Sequence, residues 1–438
     1  MEIDLVRAVE LAFATILLAI FAFRIAVGTE QRLILLGLLG GFLVYSGIGT
    51  TYTDVPPYLM VSYFVGSLAM MAGFALGKTV FARMGEIVGT KSVSLFDRIG
   101  TRVFAYSFIA AIIVIKLINL VYPEFKLDQF VRPPAPDITN WFNARFEIDE
   151  TVFEKIIRYF EILITPFFYV ALYFFRRNLF LLVTVIFVIR YMEYIDVAYI
   201  ARGTVVSDLL IISLITWQER KEWRPFLMIG ALISLPMILY LLGQYSVARM
   251  GGYYQGSGVF DGALNVLREE TSFLSQGGTL VIESGQHVNM PSYLTWIATL
   301  PIPDFLRQGL PVALVNYEIS TLVIGRQPGD PGFYVSLTGL LAESYYLFGP
   351  IFFWVHGLFC GFLAAMFARI CERVPYYRIL SIYVAVIFLH NLNRGGIASV
   401  MPGLTNGFLA FYLFLFIIPS IWWRQKPAST SDTWVSKQ

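Results

Sequence analysis

Residues 179–200 read LFLLVTVIFVIRYMEYIDVAYI. The run is uncharged through Ile189 and then places Arg190, Glu193 and Asp196 in its second half. A helix of this length reaches across a bilayer core of about 30 Å. Similar apolar runs recur along the whole chain. Of 438 residues, 57% are hydrophobic and only 14% charged, with a mean hydropathy of +0.68. Soluble domains carry about 25% charged residues, so a cytosolic globule is excluded and an all-α polytopic membrane protein is expected.

Hydropathy places eleven spans near residues 8–23, 33–50, 58–77, 103–121, 155–175, 179–200, 203–217, 225–244, 335–368, 379–392 and 398–422. The chain thus divides into eight spans over 1–244 with an outer loop at 122–151, a large loop at 245–334, three spans over 335–422 and a tail at 423–438. The ninth run is too long for one straight crossing, so its first turns are expected to tilt or to lie in the interface.

Lysine and arginine set the sidedness. The segments 24–32, 78–102, 176–178, 218–224, 369–378 and 423–438 hold 18 basic residues, whereas the longer alternate set holds 10. The first set is assigned to the cytoplasm, which puts the amino terminus outside and the carboxy terminus inside. The amino terminus, MEIDLVR, lacks the basic start of a signal peptide. A net charge of +2 without a basic tail excludes nucleic acid as the partner. Cys360 and Cys371 lie eleven residues apart on or beside one helix, about 16 Å and beyond disulfide reach.

The polar residues of the spans gather in their outer halves: Lys116 and Asn119, then Arg190, Glu193 and Asp196, Arg202 at a helix end, Asp208, Glu343, and His390 with Arg394 in HNLNRGG. Charges inside a bilayer normally face a bundle interior or an aqueous cavity, so an outward-opening polar chamber is expected. The plainer reading is structural ion pairing, as Arg190 with Glu193 at i,i+3 or Arg158 with Glu154 or Glu161. The basic residues of the large loop are all arginine (Arg249, Arg268, Arg307 and Arg326), beside seven carboxylates. Guanidinium forks grip phosphate oxygens bidentately, so these arginines fit a pyrophosphate site; pairing with the loop carboxylates is the alternative. Loop rings such as Tyr253, Tyr254, Tyr293 and Trp296 fit sugar stacking or an interfacial belt equally well. The phosphate-loop, HExxH and GxSxG motifs and Cys/His metal clusters are absent from the sequence, and His356 lies in an apolar run as a packed core residue would.

Four stretches carry a resemblance: IARGTVVSDLLI around Arg202, VARMGGYYQGSG around Arg249, residues 331–365, and HNLNRGGIASVM around Arg394. Together they resemble the Wzy-type oligosaccharide repeat-unit polymerases of the O-antigen polymerase family. The resemblance covers roughly the carboxy-terminal 250 residues. It implies a GT-C-like bundle in a bacterial inner membrane, with a helical periplasmic loop and a periplasmic active site. It further implies that a glycan is transferred from undecaprenyl pyrophosphate to a new lipid-linked repeat unit, without metal or other cofactor. Possible partners are a flippase and a chain-length regulator. Arg202 and Arg394, then Arg249, Arg268 and Arg326, would contact pyrophosphate; Glu343, Asp196 or His287 would serve as the base. The loop at 122–151 offers only Arg132 and Arg145 against the family's matched Arg–Gly motifs. An O-antigen ligase is the nearest rival, and a transporter or flippase of lipid-linked sugars is another, although apolar inner halves disfavour a path through both leaflets.

Overall fold

The computed structural model describes residues 2–87, 101–135 except 123, 151–200 except 174, 202–233 except 231, Thr271, 277–302, 306–335 except 308, 329, 331, 332 and 334, and 339–412 except 374–377. Among these residues the regular elements are helices, and the one β contact is an isolated bridge between Ile3 and Tyr52. Before the large loop come α1 (Leu5–Ile25), α2 (Thr29–Phe42), α3 (Tyr58–Ile87), α4 (Thr101–Val121), α5 (Val152–Tyr173), α6 (Leu179–Val197) and α7 (Arg202–Glu219). Within the loop lie α8 (Thr279–Ser284), α9 (Met290–Thr299) and α10 (Val315–Ile324). After it come α11 (Gly339–Phe352), α12 (Trp354–Arg373), α13 (Arg378–Val386) and α14 (Asn393–Tyr412). Four described stretches, Leu5–Ile25, Thr29–Thr51, Tyr58–Ala82 and Trp354–Glu372, are long and apolar enough to cross a membrane. Leu5, Val9, Phe13, Ile16 and Ile20 of α1 point outward, as a lipid-facing helix requires. The described residues are helical in their regular elements and consistent with a membrane bundle.

Local sequence explains the helix starts. Asp4 accepts hydrogen bonds from the Val6 and Arg7 amides at the head of α1. Thr151 and Glu154 form a reciprocal capping box before α5. Asn178 caps α6 through the Leu181 amide.

Packing at the centre depends on small residues spaced by four. Gly73 and Gly77 of α3 face Leu358, Phe362 and Ala365 of α12, while Gly357 and Gly361 of α12 face the backbone of α3 at Gly66 and Met70. Both helices therefore meet backbone to backbone through small-xxx-small pairs. Gly37 and Gly41 of α2 do the same against Ala385 and Leu389. One apolar core joins α1–α3, α11–α14 and the loop helices. A second joins α4–α7 to α13, and Leu33, Phe108 and Tyr383 border both. Cys360 and Cys371 are buried and free.

The ninth apolar run, expected to tilt or to begin in the interface, instead folds back on itself. The chain leaves helical geometry at Gly349 (φ 71°, ψ −179°). The Tyr345 and Phe353 rings on either side of this break stack at 4.9 Å, whereas eight residues of straight helix would set them about 12 Å apart. A second break with nearly the same dihedrals lies at Gly396 (φ 74°, ψ −179°). Phe367 touches both Phe388 before it, at 6.1 Å, and Phe408 after it, at 4.5 Å. Twenty residues of straight helix would separate those two rings by about 30 Å, so the chain turns back at Gly396 as well. Only glycine adopts these dihedrals readily.

Substituting Gly361→Val drives a branched side chain into the Met70 backbone and is expected to destabilise the protein by about 2 kcal/mol or more. Gly40, on α2, has open space around it, so Gly40→Ala should be neutral or stabilising by up to ~1 kcal/mol. Thermal unfolding of the detergent-solubilised variants measures both.

Candidate functional site

The described part of the large loop forms an ordered cap on one face of the bundle. Three tyrosines fasten it, one before α3 and two on α5 and α11. The Tyr52 hydroxyl meets Thr271 Oγ1 at 3.0 Å, Tyr159 donates to the Pro301 carbonyl at 2.6 Å, and Tyr346 donates to Glu318 Oε2 at 2.8 Å. The Val288 amide adds a bond to the Tyr346 carbonyl at 3.1 Å. Tyr293 and Trp296, read as sugar-stacking or interfacial rings, are instead buried in the core at 4% and 2% exposure. They hold the cap down rather than face a ligand.

Both chain reversals lie beneath this cap. The imidazole of His287 is packed over Gly349, so that a Cβ added there would lie 3.3 Å from its ring. His287 itself is exposed. At the second reversal the Glu343 carboxylate is fully engaged: Oε2 accepts from the Ile397 amide at 2.7 Å and Oε1 from the Ala398 amide at 3.0 Å. These are the first N–H groups of the helix that starts after Gly396, which no turn of helix can satisfy. The negative charge also lies at the positive end of that helix. A Cβ at Gly396 would overlap the carboxylate, so glycine is required there both for its dihedrals and for space.

A buried polar node surrounds this clamp. The Ser344 hydroxyl lies 2.8 Å from His356 Nδ1 and also donates to the Leu340 carbonyl at 2.7 Å, while His356 Nε2 is 3.7 Å from Glu343. The hydroxyl–imidazole–carboxylate order matches that of a nucleophilic triad, but burial of all three and the engagement of Glu343 make it structural. Two π turns frame the node. Tyr45, in the turn Leu43–Gly47, meets His390 Nδ1, in the turn Ile387–Leu392, at 2.7 Å. Asn393 Nδ2 donates to the Leu38 carbonyl at 3.0 Å and also to Phe388. Arg394 therefore follows an anchored asparagine and precedes a clamped reversal, and is itself partly buried.

The charges of α4–α7 form a separate network. Arg190 grips Asp208 bidentately, Nε to Oδ2 at 2.6 Å and Nη2 to Oδ1 at 2.9 Å, and reaches Glu193 through Nη1 at 2.6 Å. Lys116 bridges Glu193, at 2.9 Å, and Glu161. Asp196 is 3.5 Å from Lys126, which also donates to the Asp196 carbonyl at 2.7 Å. Arg190–Glu193 is the pair that i,i+3 spacing offers; the bidentate partner Asp208, on the next helix, lay beyond local spacing. Asp196, a candidate base, is thus ion-paired with Lys126 from the segment after α4, whereas Glu343 and Arg394 lie at the reversals and His287 is the cap residue packed over the first of them.

Of the remaining candidates, Arg202 opens α7, but its side chain, together with Arg249 and Arg268, lies outside the described residues. Arg326 is exposed just after Gly325, the left-handed cap of α10. It leads into a turn closed between Gln327 and Asp330, as the prolines of RQPGDPG suggest. Among the described residues no three His, Cys, Asp or Glu side chains converge as metal ligands. An open groove of about 540 Å³ runs beside the first reversal, between α3, α8 and the end of α11, lined by Tyr58, Val61, Val65, Ile282, Pro350 and Phe353 among others. No family model, curated protein or solved structure matches the chain.

Removing Arg190 strands the facing Asp208 and Glu193 carboxylates. Arg190→Ala is expected to cost about 3 kcal/mol of stability, and the paired change Arg190→Ala/Asp208→Ala less than the sum of the two single changes. Thermal unfolding of the four proteins in one detergent measures this coupling.

Proposed function

We propose that this protein polymerises lipid-linked oligosaccharide repeat units on the outer face of a bacterial inner membrane, using eleven crossings and a GT-C-like bundle. The observation that carries the reading is Arg394, held between the anchored Asn393 and the clamped Gly396 beneath an ordered cap. In this reaction an acceptor sugar hydroxyl attacks the anomeric carbon of the donor glycan, and its bond to undecaprenyl pyrophosphate breaks. Negative charge grows on the departing phosphate oxygen. A preorganised guanidinium in a water-poor site stabilises that charge. Arg202 is the second pyrophosphate contact in this reading, and Arg249, Arg268 and Arg326 are further ones.

The base needs free lone pairs and access. Both Glu343 oxygens accept backbone hydrogen bonds and Asp196 pairs with Lys126, so we favour the exposed His287 to take the proton from the acceptor hydroxyl. The apolar groove beside Gly349 suits the isoprenoid tail of the carrier. A flippase would supply the lipid-linked unit and a chain-length regulator would act on the product. The ligase reading shares the donor and differs only in its acceptor.

Deleting the gene should collapse the surface-glycan ladder to a single repeat unit on its acceptor. Loss of all repeats from lipid A core, with long chains left on the carrier, would identify a ligase, and an unchanged ladder would refute both. Arg394→Ala and Arg202→Ala should each lower polymerisation about a hundredfold without loss of membrane insertion, and Lys at either position should rescue poorly. Gel ladders with membrane-fraction blots read both quantities.

A further inference from the structure

We infer that Glu343 is a positioning residue, whose carboxylate sets the guanidinium of Arg394 by clamping the chain reversal that follows it. The inference rests on the polymerase reading for the role of Arg394, but the clamp itself rests on geometry alone. Glu343 spans from α11 to the new helix start at Ile397 and Ala398 and engages both amides. It is buried at 3% exposure. Arg394 lies three residues before the first clamped amide, with only Gly395 and Gly396 between. Two successive glycines give a hinge that holds no direction by itself. The fixed points around it are Asn393, bonded to the carbonyls of Leu38 and Phe388, and the Glu343 clamp. His356 packs beside the carboxylate, with Ser344 on its other nitrogen, so the carboxylate is itself held from α11 and α12.

Releasing the clamp leaves two buried amides without acceptors and frees the glycine pair. The guanidinium then loses its aim while its charge remains. This separates a positioning role from a chemical one. An Arg394 already misdirected has little left to lose on substitution, so the two residues must be coupled rather than additive.

The test uses the full-length protein in nanodiscs, with a lipid-linked repeat unit as both donor and acceptor. Hydrogen exchange at Ile397 and Ala398 should quicken about tenfold in Glu343→Ala, the scale of a lost helix cap, with α3 unchanged. In the wild-type background Arg394→Ala should slow polymerisation about a hundredfold; in the Glu343→Gln background the same change should cost less than about tenfold. Gln keeps the shape and one acceptor, so this arm stands even where the Ala variant fails to accumulate. Unchanged exchange overturns the clamp. A full hundredfold effect of Arg394→Ala in the Gln background overturns the positioning role, since a generally weakened fold would leave that ratio intact. Wild-type polymerisation by Arg394→Ala alone refutes the polymerase site, and the positioning role falls with it, while the exchange result still decides whether the clamp exists.

Discussion

A carboxylate buried in an apolar bundle must find donors, and Glu343 finds them on the backbone of another helix. Unpaired, such a charge would cost several kcal/mol. That requirement fixes much around it. The partner helix must begin at Ile397, so the chain must break at Gly396, and the residue there must lack a Cβ. The preceding segment must then reach the break from α13, which it does through the π turn at Ile387–Leu392. The extra residue of that turn swings His390 toward Tyr45, itself on a π turn of α2. The two irregular turns thus answer one another across the α2–α13 contact, where Gly41 gives room for the approach.

The group of helices α4–α7 solves the same problem with side chains alone. Lys116 and Arg190 pair with Glu161, Glu193 and Asp208 across α4, α5, α6 and α7. Their charges serve as the fastening between these helices. Polar residues in membrane helices often mark function. Here the dense network reads as architecture, whereas the sparser set at the reversals lies next to His287, an exposed residue of the cap itself.

Among the described residues hydropathy located helices, four of them long and apolar enough to cross a membrane, because apolar length is a local property of the chain. Direction was legible at one reversal and not at the other. The polar stretch NLNRGG separates the spans at 379–392 and 398–422 and marks the turn at Gly396, whereas Gly349–Pro350 sits inside a continuous apolar run, where a hydropathy profile reads a helix that folds back like one that carries on. The small-residue pairs of α3 and α12 were present as Gly-xxx-Gly spacings, but their partners are distant in sequence. Glu343 stood out as a lone acid in an apolar run and was read as a base, since a carboxylate's obvious roles are chemical. Its true partners are two backbone amides, which every sequence has and none displays. Tyr293 and Trp296 fitted sugar stacking and an interfacial belt equally well on sequence, and neither reading shows that they bury the loop against the bundle.

The cap and the reversals bear on one physical problem. An arginine that stabilises a leaving group must be aimed before the reaction, because reorganisation at the moment of bond breaking would add to the barrier. A long flexible side chain on a glycine-rich turn is poorly suited to this unless its backbone is fixed from both sides. Asn393 fixes one side through two carbonyls and Glu343 fixes the other through two amides. The tyrosines that fasten the cap then limit what the site above can do, since Tyr346 ties α10 to the same helix, α11, that carries Glu343. Cap and clamp thus share one element, so in the polymerase reading proposed above a shift of α11 would move the roof of the site and the aim of Arg394 together.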